Sequence, residues 1–501
     1  MPIIGKLIQR STAISFKRIS RKSPDYKQQL EALRQNIEVA KKTKFGLTHH
    51  FTSLLQRTDL VSRYQQQVPI TEYDTFYQDW LEDAIIGAKD HIWPGRIKYF
   101  ALSSGTTGAP SKRIPVTTEM IRSFQRVSLR QFSVLHELNL SDTFYGSKVL
   151  AVGGSTKLKK VGNHFEGDLS GILKKHTSLI AAPFAKPNKK ITHLKDWKAK
   201  LPLMVEQAPK WNIGIMAGIP SWCVLLLEEI VKHYQLKNIH EIWPNFKVYV
   251  HGGVYMDPFK ERLKKVCGEP VILLDTYLAS EGYFGYQISP KRKGMKLLLN
   301  NSIFFEFIPA EEIFNDQPTR LNLAQIELDV NYALIINSNA GLWGYNIGDT
   351  VKFVSKDPYR IIVSGRIKHF ISAFGEHVIG EEVEYALAKG LSKVPANIIE
   401  FTVAPMIQVD NGLPYHEWLI AFEEVPENLV RLAEEIDLAL QEKNVYYQDL
   451  LRGGILQTLQ IRVLPKDAFI QYMKAQGKLG GQNKVPRLSN DRQIAEALLR
   501  Q

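Results

Sequence analysis

Three times in the middle third of this chain an apolar run stops on glycine or a small polar cluster, and helical stretches separate such runs. Residues 148–152 break at Gly153-Gly154, residues 246–250 end at Gly252-Gly253, and residues 271–274 run into Asp275-Thr276-Tyr277. Residues 223–234 read as a helix. Strands that alternate with helices build a sheet with helices packed on it, and ligands gather outside the carboxyl ends of its strands. The expected fold is therefore α/β.

The flanks extend this frame. Leu30, Leu33, Ile37 and Ala40 recur at helical spacing, so residues 28–66 read as helices. Residues 99–102 and 113–116 read as short strands, and a long helix begins at Thr118. Further β segments are expected at 303–308, 325–328, 333–337 and 351–354. After Gly365 the pattern becomes α+β: helix at 381–388, strands at 399–403 and 418–422, helix at 429–440, strand at 459–464 and helix at 468–473. The polar-flanked stretch 364–373 is the expected linker. It divides a large unit, 1–366, from a smaller, mobile lid, 367–501.

Composition narrows the function classes. With 44% apolar and 23% charged residues, wholesale disorder is excluded. Two cysteines exclude a disulfide scaffold and point to a reducing, cytoplasmic setting. The net charge of +13 (64 − 51) suits anionic small substrates, because a positive field steers any anion. Nucleic acid is not expected, since no basic motif is interleaved with aromatics. The most apolar stretch, 213–227, is broken by Pro220, Ser221 and Trp222, and is too short to span a bilayer. The first 24 residues hold six basic side chains and no acid. A transit peptide or weak contact with a membrane surface are the alternatives to a plain basic first helix, which is the favoured reading.

Four segments carry chemistry. Ser103-Ser104-Gly105-Thr106-Thr107-Gly108-Ala109-Pro110-Ser111-Lys112 packs hydroxyls, glycines and a lysine between two strands. Such a loop cradles phosphate through main-chain N–H groups, hydroxyls and the ammonium; the plainer alternative is a flexible hairpin. Tyr277-Leu278-Ala279-Ser280-Glu281-Gly282 follows an apolar strand. There Glu281 is placed to hold Mg²⁺ beside phosphate oxygens, and Tyr277 to stack on a base. The alternative is a solvated glutamate and a core tyrosine. In Tyr345-Asn346-Ile347-Gly348-Asp349 the aspartate is placed to accept from ribose hydroxyls, or simply closes a Gly-Asp turn. Lys484, in a glycine-flanked loop, either reaches into a site on closure or is a solvated lysine.

Together and in this order, these segments resemble the adenylate-forming superfamily. The likeness spans nearly the whole chain and lies nearest the auxin-responsive promoter family, the acyl acid-amido synthetases of plants and their bacterial relatives. The run from Gly365-Arg366 to Gly375 is similar to the superfamily's hinge motif, with Lys368 at the hinge position. The resemblance implies ATP and Mg²⁺ as cofactors. Ser103, Ser104, Gly105, Thr106, Thr107, Gly108 and Lys112 would hold the β- and γ-phosphates. Gly252, Gly253, Tyr277 and Ser280 would surround the base, Asp349 and Arg366 the ribose, and Glu281 the metal, while Lys484 would be catalytic. The implied reaction activates a carboxylic acid as its adenylate and transfers the acyl group to an amino acid. Thr107 and Ala109-Pro110-Ser111 lean towards acyl-CoA ligases, which makes coenzyme A the alternative acceptor. Residues 155–245 are expected to contribute to the acid pocket. Trp211 and Trp222 are candidates there, with core packing the favoured role for both.

Overall fold

Runs of β-branched and aromatic residues between turns fold into strands, and eleven of these join in one sheet. The computed structural model describes residues 2–20, 26–103, 112–177, 181–195, 197–253, 256, 259–313, 315–367, 370–371, 373–376, 378–409, 412–475, 485 and 487–500. The sheet has two halves. In one, Ala185–Lys186, Lys148–Ala151, Ile213–Ala217, Val248–Gly252 and Ile272–Ala279 lie parallel, side by side. In the other, the order continues antiparallel through Gly282–Tyr286, Met295–Leu297, Tyr359–Arg366, Tyr345–Lys356, Asn331–Ser338 and Ile303–Pro309.

A four-stranded sheet stands beside it, built on Tyr99–Ser103 and Lys112–Val116, which pair antiparallel around residues 104–111. Tyr99–Ser103 also runs parallel to His164–Gly167. The C-terminal α+β segment carries a three-stranded sheet, Ile398–Met406, Tyr415–Phe422 and Gln460–Leu464, with helices Gly380–Lys393 and Leu429–Lys443 packed together. The basic first segment is a helix, Pro2–Ser20. Among the described residues no helix is long and apolar enough to cross a membrane.

Three expectations change. Residues 325–328 do not form a strand: a turn at 323–325 is followed by irregular chain, and Leu328 makes an isolated parallel bridge to Phe353. The Asn322 side chain accepts from the Ala324 N–H and Gln325 Oε1 from the Asn322 N–H, which closes the turn, and the Glu327 N–H goes to the Tyr332 hydroxyl in place of a ladder partner. The run from Val271 does not end before Tyr277; the strand continues to Ala279 because Thr276, Tyr277 and Leu278 keep a strand's residue types. Residues 345–354 lie within one strand, Tyr345–Lys356, so Gly348 is not a turn before it. The register slips between Ala333 and Ile335, and Gly348 takes φ +85°, which marks a bulge.

The antiparallel half is pinned by a buried ion pair. Arg320 Nε and Nη2 donate to Glu306 Oε1 and Oε2 at 2.9 and 2.8 Å, and Asn337 Nδ2 donates to the same carboxylate at 2.9 Å. Arg320 also donates to the Gln65 and Val68 carbonyls, which ties helix Leu60–Gln67 to the sheet. Glu306 is fully buried, so removing it strands a guanidinium in the interior. Glu306→Ala is expected to cost about 3–5 kcal/mol. Urea unfolding checks this through a lowered midpoint at unchanged m-value.

Candidate active site

The parallel strands deliver their loops to one edge, and the hairpin formed by Ile272–Ala279 and Gly282–Tyr286 turns back at that edge. Ala279 pairs with Gly282, which leaves Ser280-Glu281 as a two-residue turn. Glu281 therefore sits at a hairpin tip rather than in a loop after a strand. Its side chain is buried and faces a cavity of about 3560 Å³. Lys112, Gly252, Gly253, Tyr277, Ser280 and Asp349 line the same cavity.

Two of these groups touch. Tyr277 donates its hydroxyl to Asp349 Oδ2 at 2.6 Å, across 72 residues of sequence. Both are buried, and the Tyr277 ring meets Phe284 edge-on at 4.8 Å. Asp349 lies directly across the ladder from Arg366, and the Ile367 N–H bonds the Gly348 carbonyl. The bulge at Gly348 sets the aspartate at this spot; its φ of +85° is one that side-chain-bearing residues rarely adopt. Gly252 is required by space, because a Cβ there would lie 2.4 Å from the Thr276 carbonyl oxygen.

Of the remaining expected site residues, Ser104, Gly105, Thr106, Thr107, Gly108, Lys368 and Lys484 lie outside the described residues. Ser103 and Arg366 are described in their main chain only. Both ends of the phosphate-type loop are fixed: Leu102 and Lys112 face the cavity, and Lys112 Nζ sits 5.1 Å over the Tyr73 ring. Trp211 is buried in the core, and Trp222 lies edge-on to Trp197 at 4.3 Å.

Sequence reasoning missed a polar wall of this cavity. Asp168 follows strand His164–Gly167 at the start of helix Leu169–Lys175 and sits against Gly154, where any Cβ would lie 2.2 Å from its Oδ2. Lys200 Nζ donates to the Gly153 carbonyl at 3.2 Å, and Lys174 Nζ to the Ala151 and Lys186 carbonyls at 3.5 and 3.4 Å. From the C-terminal segment Tyr446 donates to the Leu102 carbonyl at 3.3 Å. The glycine pair at 153–154 was the one available signal. The chemistry-bearing partners lie on other elements, distant in sequence.

Among the described residues no carboxylate pairs with Lys174. Burial, and then the Lys200 charge, lower its pKa from 10.5 to about 8, while burial raises that of Asp168. An ammonium held in this way suits an anionic ligand. Between pH 8 and 10.5 the unfolded chain binds the proton that the folded one releases, so stability rises with pH across that window. Lys174→Met is expected to stabilise the fold by at most about 3 kcal/mol at pH 7. The gain should fade towards pH 10.5, which urea titrations at stepped pH will show.

Comparison with known proteins finds relatives in sequence and in fold. Three family models match in succession: the GH3 family N-terminal domain over residues 16–201 and 156–272, the GH3 family central domain over 296–366, and the GH3 family C-terminal domain over 381–493. Indole-3-acetic acid-amido synthetase GH3.3 of Arabidopsis thaliana is 27% identical over 280 residues, 52% of this chain and 46% of that protein. Jasmonoyl–L-amino acid synthetase JAR4 of Nicotiana attenuata is 25% identical over 264 residues, 50% of this chain and 45% of that protein. The chain thus spans about half the length of the curated relatives it matches. Among solved structures, GH3.15 acyl acid amido synthetase superposes with a TM-score of 0.58 at 16% identity, covering 95% of this chain and 93% of that one. A 2-hydroxyisobutyryl-CoA ligase bound to 2-HIB-AMP and CoA gives 0.59 at 13% identity, covering 95% and 91%. The fold is the one these enzymes share, as the sequence led us to expect.

Proposed function

The chain belongs to the GH3 family, and on that footing we propose that it activates a carboxylic acid with ATP and passes the acyl group to the amine of an amino acid. One observation carries the reading: Lys112, Gly252, Tyr277, Glu281 and Asp349 come from four separate segments and line a single cavity. The substrate carboxylate attacks the α-phosphorus, pyrophosphate leaves, and the amine then attacks the acyl carbon and releases AMP. The substrates supply both nucleophiles, so the protein contributes positioning and charge stabilisation.

In this reading residues 103–108 and Lys112 hold the β- and γ-phosphates. Gly252 and Gly253 leave room for the adenine against Tyr277 and beside Ser280. Asp349, oriented by the Tyr277 hydroxyl, grips the ribose together with Arg366. Glu281 fits Mg²⁺, because one buried carboxylate at a cavity wall, completed by phosphate oxygens and water, is a usual donor set for that ion. When bound, Mg²⁺ neutralises charge on the triphosphate. Lys484 lends positive charge near the α-phosphate. The C-terminal unit, 367–501, turns about Lys368 against 1–366 between the two half-reactions. Two free cysteines, one of them fully buried, favour a cytoplasmic enzyme.

Pyrophosphate release with a panel of acids tests the first step. If no acid supports release and ATP does not bind, the proposal fails. Amino acids or coenzyme A added to preformed adenylate decide the acceptor. Thr107 and Ala109-Pro110-Ser111 are the residues that speak for coenzyme A. Lys484→Ala is expected to slow adenylation by about 100-fold or more, typical of removing one charge-stabilising group, with ATP affinity nearly unchanged. A wild-type adenylation rate in that variant rejects the lysine's role. Glu281→Gln is expected to raise the Mg²⁺ concentration needed for half-maximal rate; an unshifted Mg²⁺ dependence removes Glu281 from the metal site.

A further inference from the structure

Strands inside a covered parallel sheet are ordinarily buried on both faces. Here the faces differ. Towards helix Pro220–His233, Leu150, Met216 and Tyr249 are 0% exposed. On the opposite face Val248 and Leu274 are likewise 0% exposed, but Val149, Val250 and Ile272 are only half-buried, although they lie in interior strands beneath Phe132 and Leu135. Empty space is the cause. The cavity that holds Tyr277 and Glu281 continues past Gly252 and Thr276 along this face as far as Val149, Ile215 and Ile272.

The far end is apolar and roofed. Helix Pro2–Ser20 covers it with Ile8 and Thr12. The helix sits close because Gly5 lies against the Asp142 main chain, where a Cβ would meet the carbonyl oxygen at 2.1 Å, and because Gln9 Nε2 donates to the Leu140 carbonyl. Three buried hydroxyls at this end are already used: Thr12 donates to the Gln9 carbonyl, Ser133 to that of Arg130, and Ser147 to that of Phe144. Among the described residues, those of the first helix and of Phe144–Ser147 that line the cavity carry no charge.

We propose that the acid activated here carries a long apolar chain, laid along this sheet face with its far end beneath the first helix. The proposal rests on the adenylation reading, which fixes the carboxylate end near Tyr277 and Glu281. From Thr276 to Ile272 the strand offers a floor of about 13 Å. That length takes roughly ten carbons of an extended chain. Small side chains at Ala151 and Ala217 keep the floor low midway, in the row that also holds Val250.

The test uses straight-chain acids from butyric to palmitic, with two readouts on the full chain. In pyrophosphate release, kcat/KM is expected to rise about threefold to fourfold per methylene and then level off. Val149→Phe should move the plateau to shorter acids, and Ile272→Ala to longer ones. A flat or falling dependence on length overturns the proposal. The second readout is displacement of a fluorescent fatty acid in the absence of ATP. Displacement by palmitic acid without adenylation of any acid supports the chain-binding face and removes the adenylation reading. Adenylation of short acids with no displacement by palmitic acid removes the chain-binding face and leaves adenylation standing.

Discussion

One strand holds the two halves of this protein together and sets where its chemistry lies. Ile272–Ala279 is bonded parallel to Val248–Gly252 on one side and antiparallel to Gly282–Tyr286 on the other. A parallel neighbour requires a long crossover, while an antiparallel one needs only a tight turn. The same strand therefore ends beside Gly252-Gly253, at the open edge of the parallel half, and folds straight back through Ser280-Glu281. Tyr277 and Glu281 reach the cavity because the strand extends beyond the parallel ladder. Had the chain left the sheet at Leu274, the carboxylate would sit on a loop without the hairpin that fixes it.

The second constraint crosses the antiparallel half. Asp349 reaches Tyr277 because the bulge at Gly348 displaces the ladder at that position. A regular strand would alternate its side chains strictly between faces. The slip of register between Ala333 and Ile335 breaks that alternation. Tyr277 is thus at once an anchor for Asp349 and part of the cavity wall, so its hydroxyl and its ring serve different ends.

The parallel half was legible because its signals are local. Apolar runs that stop on glycine at 153–154 and 252–253 mark strand ends whatever the rest of the chain does. The antiparallel half was less so. Residues 325–328 look strand-like, yet the Tyr332 hydroxyl takes the Glu327 N–H and Leu328 makes an isolated bridge to Phe353. Gly348 reads as a turn because a bulge and a turn ask the same backbone freedom of glycine. The cluster of Asp168, Lys174 and Lys200 left no pattern at all, since its meaning comes from burial around Gly153-Gly154 and not from spacing.

The C-terminal segment is braced inside by buried polar groups and joined to the rest of the chain by apolar packing. Within it Glu376, 0% exposed, accepts from the Phe374 N–H at 2.8 Å and lies 2.8 Å from His416 Nε2. Asn444 Nδ2 donates to the Glu376 carbonyl and to Glu382. The Glu376 carboxylate and the Asn444 amide, buried and bonded in this way, resist separation, because each bond left unmet would cost about 1–3 kcal/mol. Towards the rest of the chain, by contrast, the contact is mainly apolar: Ile371, Phe374 and Trp418 belong to one buried cluster with Val224, Leu227 and Phe259, and Tyr446 donates to the Leu102 carbonyl. The rotation proposed about residues 367–368 would therefore have to part apolar packing, while the polar groups inside the segment keep their partners.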